Sequence, residues 1–173
     1  MFDIDLFYIA IFLLPPFFAN AVPVIFGGGP PIDLGRNFFD GKRIFGDGKT
    51  YKGFFSGVLF GILVGAILSY LLNDIFILLI SIGASIGTMF GDLFGSFIKR
   101  RMGLDRGKPS LVLDQLTFII FAIIFSYNYI VISPDFNVIL SIPSILIILL
   151  ITFFTHKVSN IMANKMGLKK VPW

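Results

Sequence analysis

Residues Phe45 to Gly53 read FGDGKTYKG, and their reading decides between a soluble nucleotide-binding α/β domain and a different kind of molecule. A GKT run stands where a glycine-rich loop cradles nucleotide phosphates, but that loop needs an earlier glycine where this chain has Arg43. A preceding hydrophobic strand and a βαβ core are missing too. The P-loop reading fails, and what remains is local chemistry. Gly46 and Gly48 permit close backbone approach to an anion, Lys49 and Lys52 carry ammonium charge, and Thr50 can cap a helix starting near Tyr51. The plainer alternative is a capped helix start with snorkelling lysines.

Outward from this loop the chain is apolar. Of 173 residues 56% are hydrophobic and 22 are phenylalanine, and the mean hydropathy is +0.91, which calls for lipid as solvent. There is no cysteine and one histidine, His156, so disulfides and cysteine or multi-histidine metal sites are excluded. The start, MFDIDLF, lacks the basic region of a cleaved signal peptide, so the first apolar segment is expected to stay.

A hydrocarbon core needs roughly 20 apolar residues per helix, and five stretches qualify, near 4–26, 54–72, 75–98, 113–133 and 137–157. The expected fold is an all-α integral membrane protein, a single transmembrane domain over 1–173. Asn73-Asp74 and Ser133-Pro134-Asp135 make tight hairpins, while Gly27 to Gly53 and Lys99 to Leu113 form two long loops. Pro15, Pro16, Asn20 and Pro23 are enough to break the first span near the inner leaflet. With five spans all 14 lysines and arginines, including Lys157, Lys165, Lys169 and Lys170 after the last span, fall on one side. By the positive-inside rule that side is the cytoplasm, with the N-terminus outside and the C-terminus inside.

Orientation alone accounts for one-sided lysines and arginines, but not for the aspartates and glycines interleaved with them. That mixture suits a site holding metal and phosphates together. Glycines 83, 87, 91 and 95 recur every four residues in the third span, and Gly57, Gly61 and Gly65 form a matching run in the second. Backbone-to-backbone packing of these two neighbours is expected, although a glycine ridge also suits a homodimer. Asp92 inside the third span costs at least about 2.5 kcal/mol at mid-membrane, less near an interface, so it needs a partner or a task. Asp92, Ser96 and Lys99 share one helix face running into the second loop. The bland readings are an Asp92 ion pair with Lys99 or a neighbouring lysine, and an N-cap for Asp114. The chemical reading is that both carboxylates hold Mg²⁺, which takes one or two carboxylates plus substrate phosphates.

The run GDLFGSFIKRRMG, Gly91 to Gly103, followed by LDQLTF from Leu113, resembles the phosphatidate cytidylyltransferase superfamily. The first loop, DGKRIFGDGKTYKGFFSG, resembles its archaeal branch, the CDP-archaeol synthases. Ser96, Lys99, Arg100 and Asp114 match the bacterial signature. The later Lys-Asp pair falls instead on Asp105 and Arg106, a Pro-Gly-His-Gly-Gly segment has no counterpart after Pro109, and Gln115 and Thr117 replace an arginine and an aspartate. These departures fit the archaeal branch, in which the loop is shorter.

The resemblance implies a multi-pass cell-membrane enzyme with its active site facing the cytoplasm, a Mg²⁺-dependent CTP:lipid-phosphate cytidylyltransferase. Its substrates would be CTP and an isoprenoid ether lipid phosphate among membrane lipids, and no nucleic acid partner is expected. Asp92 and Asp114 would bind Mg²⁺ and, with Lys99, be catalytic; Lys49, Lys52 and Arg106 would hold triphosphate or lipid phosphate, with Arg100 also on the nucleotide; Gly46, Gly48 and Thr50 would shape the nucleotide loop, with Asp40 and Asp47 as weaker candidates. A CTP-dependent polyprenol kinase and a small transporter are the alternatives.

Overall fold

A computed structural model describes residues 5–104, 108, 110 and 113–167. The chain forms α1 (Leu6–Ala21), α2 (Pro23–Phe26), α3 (Tyr51–Leu72), α4 (Ile75–Arg101), α5 (Leu113–Ile132) and α6 (Ile142–Lys165), with a 3-10 turn at Phe136–Leu140. Among the described residues the only β-pairing is two isolated antiparallel bridges, Pro31 with Thr50 and Asn37 with Arg43. The run Leu6–Phe26, α3, α4, α5 and α6 are each long and apolar enough to cross a membrane, so the expected five-span all-α architecture is found. Exposed Leu59, Leu63 and Ile67 on α3, Ile120 and Ile124 on α5, and Leu146, Leu150 and Phe154 on α6 present apolar faces outward, as spans solvated by lipid do.

Local chemistry sets most boundaries. Thr50 caps α3 through Gly53 N–H at 3.1 Å. Asn73, at a left-handed φ of 52°, closes that helix, and Asp74 caps α4 through Phe76 N–H at 2.8 Å, so two residues reverse the chain. At the far end of α4, Gly103 adopts a φ of 72° while its N–H reaches Arg100 C=O at 3.1 Å and Leu104 N–H reaches Lys99 C=O at 3.0 Å. That is a Schellman ending, which explains the glycine after KRRM.

One expectation about the spans holds and one needs correction. The first span is interrupted toward its loop end, as expected, and the break falls at Pro23, which lacks the N–H that Ala19 C=O would accept, while Pro15 and Pro16 lie inside α1 without ending it. The last span starts at Ile142 and runs to Lys165, instead of spanning 137–157. A hydropathy window cannot see the separation, because Phe136–Leu140 is as apolar as the helix; Ser141 makes it by capping Ser144 N–H at 3.3 Å. Lys157 and Lys165 consequently lie within α6.

α4 is the central helix, flanked by α1, α3 and α5. The sequence suggested that its glycine ridge meets the glycines of α3, and the structure shows otherwise. A Cβ on Gly83, Gly87, Gly91 or Gly95 would lie within 2.3–2.9 Å of the carbonyl oxygens of Phe125, Phe121, Thr117 and Leu113, all on α5. Gly57, Gly61 and Gly65 of α3 instead meet Met89, Ser85 and Ser81, and the first two also abut Ala19 of α1. Ser81, Ser85 and Met89 stand two positions from the glycines, about 200° around the helix, so α4 turns its glycine face to α5 and the opposite face to α3. Both are consumed by packing inside the chain, and neither ridge is left exposed for a dimer.

Candidate functional site

The first loop is built around a carboxylate that sequence reasoning did not single out. The Asp33 side chain has no exposure. It accepts hydrogen bonds from Arg43 at 2.6 and 3.2 Å, from Phe45 N–H at 3.0 Å, from Gly46 N–H at 2.8 Å and from Gly35 N–H at 3.2 Å. Burial by itself would raise the Asp33 pKa; the hydrogen bonds from Arg43 and the three backbone amides outweigh it and hold the carboxyl well below the ordinary range. The hydrogen bond to Asp33, seconded by Asp47, pushes the Arg43 guanidinium upward in turn. Because the Gly46 amide is committed to Asp33, its role differs from the expected anion donor. A φ of 91° there makes the turn into GDGK one that glycine alone adopts without strain.

From this turn Lys49 reaches α4, where its Nζ lies 2.6 Å from both carboxylate oxygens of Asp92. Asp92 lies nine residues, about 14 Å along the axis, before the Arg101 end of α4. The partner of Asp92 is therefore a loop lysine 43 positions away. Lys99 instead bonds Asp114 at 2.5 Å, and Asp114 also accepts from Ser110 N–H at 3.0 Å. Asp114 lies in the first turn of α5, where the helix end favours its charge.

Both ion pairs border one cavity of about 1150 Å³. Its polar end is lined by Gly46, Asp47, Gly48, Lys49, Thr50, Asp92, Ser96, Lys99, Arg100, Lys108 and Asp114. The two polar segments, far apart in sequence, thus meet at one end of the bundle. Four cationic side chains face three acidic ones there, and Arg100 Nε is buried without a protein acceptor, an arrangement that suits a polyanion. The other limb runs between α1–α2 and α6, past Phe17, Val24, Ile25 and Phe118 to Thr155, Ser159 and Asn160. Lys52 is exposed on the first turn of α3 and is not in the lining. Arg106 lies outside the described residues. Asp40 and Asp47 are engaged by Arg101 at 2.8 Å and Arg43 at 2.7 Å.

No group of three or more histidine, cysteine or acidic side chains that could hold a metal occurs among the described residues. Two carboxylates on one cavity do fit a hard divalent cation that takes its other oxygens from substrate phosphates and water.

Apolar spans closed around a charge-lined cavity define a polytopic membrane protein of the intramembrane-enzyme class. The family description "CarS-like: CDP-archaeol synthase" matches residues 1–173. CDP-archaeol synthases of Pyrococcus horikoshii and Methanococcus aeolicus are 44% and 42% identical, with 94% of each chain covered. That of Thermococcus gammatolerans is 45% identical over 98% of this chain and 97% of its own. A solved intramembrane enzyme of archaeal membrane lipid biosynthesis superposes with a TM-score of 0.69 at 34% identity, over 84% of this chain and 90% of its own. The chain belongs to the CDP-archaeol synthase family.

Proposed function

We propose that the chain transfers CMP from CTP to 2,3-di-O-geranylgeranylglyceryl phosphate in the membrane, releasing pyrophosphate, with its site on the cytoplasmic side. The observation that carries this reading is the two-ended cavity, cationic and glycine-lined at the loops and, in the limb between α1–α2 and α6, lined by Phe17, Val24 and Ile25 on one side and by Thr155, Ser159 and Asn160 on the other. Its volume of about 1150 Å³ exceeds a usual single-ligand pocket of about 300–1,000 Å³, leaving room for a nucleotide and a lipid headgroup together.

A phosphate oxygen of the lipid attacks the α-phosphorus in line, the bond to the bridging oxygen of the β-phosphate breaks, and pyrophosphate leaves with that electron pair. No protein nucleophile is needed, so positioning and charge neutralisation carry the chemistry. Lys49, Lys99 and Arg100 hold phosphate oxygens, and Gly48 and Thr50 let the nucleotide lie close against the loop. Asp92 and Asp114 would hold Mg²⁺, which when bound offsets the charge of the triphosphate.

The test is purified protein in detergent with α- or γ-labelled CTP, Mg²⁺ and an ether- or ester-linked lipid phosphate. Alpha label in the lipid and gamma label in pyrophosphate are expected. Gamma label in the lipid with release of CDP would mean a lipid kinase and would remove the proposal. Asp92→Asn should lose at least about 100-fold in turnover while remaining folded, since charge stabilisation at such sites is worth that much; unchanged turnover takes Asp92 out of the site.

A further inference from the structure

Arg101, the last residue of α4, reaches several groups of the first loop, yet it does not line the cavity. Its NH2 donates to the carbonyls of Arg43 at 2.6 Å and Lys42 at 3.1 Å. Lys42 Nζ returns a bond to Arg101 C=O at 3.0 Å. The guanidinium carbon stands 4.9 Å from the Phe38 ring and 4.8 Å from the Phe97 ring, and Nε is within ion-pair distance of Asp40, at 2.8 Å, without hydrogen-bond alignment. Phe38, Asp40, Lys42 and Arg43 all belong to one small hairpin, closed by Phe38 N–H to Lys42 C=O at 2.8 Å and Ile44 N–H to Arg36 C=O at 3.2 Å.

We propose that Arg101 is a positioning residue that latches this hairpin to the end of α4 and so sets where the GDGKT loop stands over the cavity. The coupling is continuous in space. Arg101 holds the Arg43 carbonyl, the Arg43 side chain holds Asp33, Asp33 holds the amides of Phe45 and Gly46, and three residues on Lys49 meets Asp92. Without the latch the loop keeps its internal Asp33 staple, the Lys49–Asp92 pair and the Phe38–Phe97 ring contact, but the hairpin loses the clamp that fixes its carbonyls on the end of α4. The nucleotide side of the site suffers, while the limb between α1–α2 and α6 is untouched. A lysine cannot replace Arg101, because one ammonium neither bridges two carbonyls nor lies flat against two rings.

This rests on the proposed reading of the site as a CTP site, and the experiment has one readout that depends on that reading and one that does not. The chain has no cysteine, so Phe39→Cys, at a tip position 99% exposed, takes a single spin label. Arg101→Ala and Arg101→Lys, compared with the parent in that background, should both free the label and raise the KM for CTP about tenfold, with kcat and the KM for lipid phosphate changing less than about threefold. Should alanine fail to fold, lysine carries the test. An ordered label, or a mobile label with an unchanged KM for CTP, overturns the latch; a variant that loses only thermal stability shows a merely structural residue and does the same. If the parent neither turns over nor binds CTP, the reading of the site fails, and the label alone decides whether Arg101 orders the hairpin.

Discussion

Asp33 and Asp92 are both aspartates at the loop end of the molecule, and they differ in how far sequence exposes them. Asp92 stands out because a carboxylate in an apolar span must be explained. Asp33 sits in a loop crowded with charge, and only the convergence of Gly35, Phe45 and Gly46 amides with Arg43 shows that it organises that loop. Since its folded pKa is depressed, its stabilisation is complete above the ordinary carboxylate value of about 4 and is lost only as pH falls below it. Stability of the loop should therefore be flat from about pH 5 to pH 9 with respect to this group. Asp33→Asn should cost about 3 kcal/mol locally, the low end for a broken buried pair because Arg43 is partly exposed. Hydrogen exchange at the Phe45 and Gly46 amides measures it; unchanged protection would show that the amides have another partner.

Helices pack by faces, and a glycine repeat announces a close approach without naming the partner. Two residues separate Gly83 from Ser81 and Ser85, which is enough to send one set to α5 and the other to α3. Gly87→Ala would bring a methyl to 2.3 Å from the Phe121 carbonyl oxygen, and with backbone opposite it no side-chain change relieves the clash. A loss of about 1–3 kcal/mol is expected, read as a lower thermal midpoint in detergent. Gly61→Ala meets chiefly the Ser85 side chain, at 2.3 Å, so adding Ser85→Gly should restore much of that loss. Equal penalties in single and double variants would contradict the assigned faces. The start of α6 shows the complementary limit, since apolar residues continue through the 3-10 turn and only the Ser141 cap marks the helix.

Across the whole molecule, five spans alternate the connections, so the loops after Phe26 and after Arg101 share one end and Asn73 and Ser133 the other. Ion pairs and hydrogen bonds joining Lys49 to Asp92 and Arg101 to Lys42 and Arg43 require the same arrangement independently. Single cysteines at Phe39 and Met102 should react only with reagent on the cytoplasmic face of vesicles, and one at Asn73 only from the opposite face. Reactivity of Phe39Cys and Asn73Cys from one side would break both the topology and the proposed placement of the site.

Span number, the hairpin at Asn73-Asp74, the cap at Thr50 and the gathering of basic residues on alternate connections followed from sequence, because each depends on local composition or on neighbours a few residues apart. Tertiary structure alone decided which lysine meets which aspartate, which helix each glycine face receives, and that Asp33 and Arg101 hold the loop in place. Those outcomes depend on rotations and on contacts between segments tens of residues apart, where a shift of two positions turns a side chain toward the opposite neighbour.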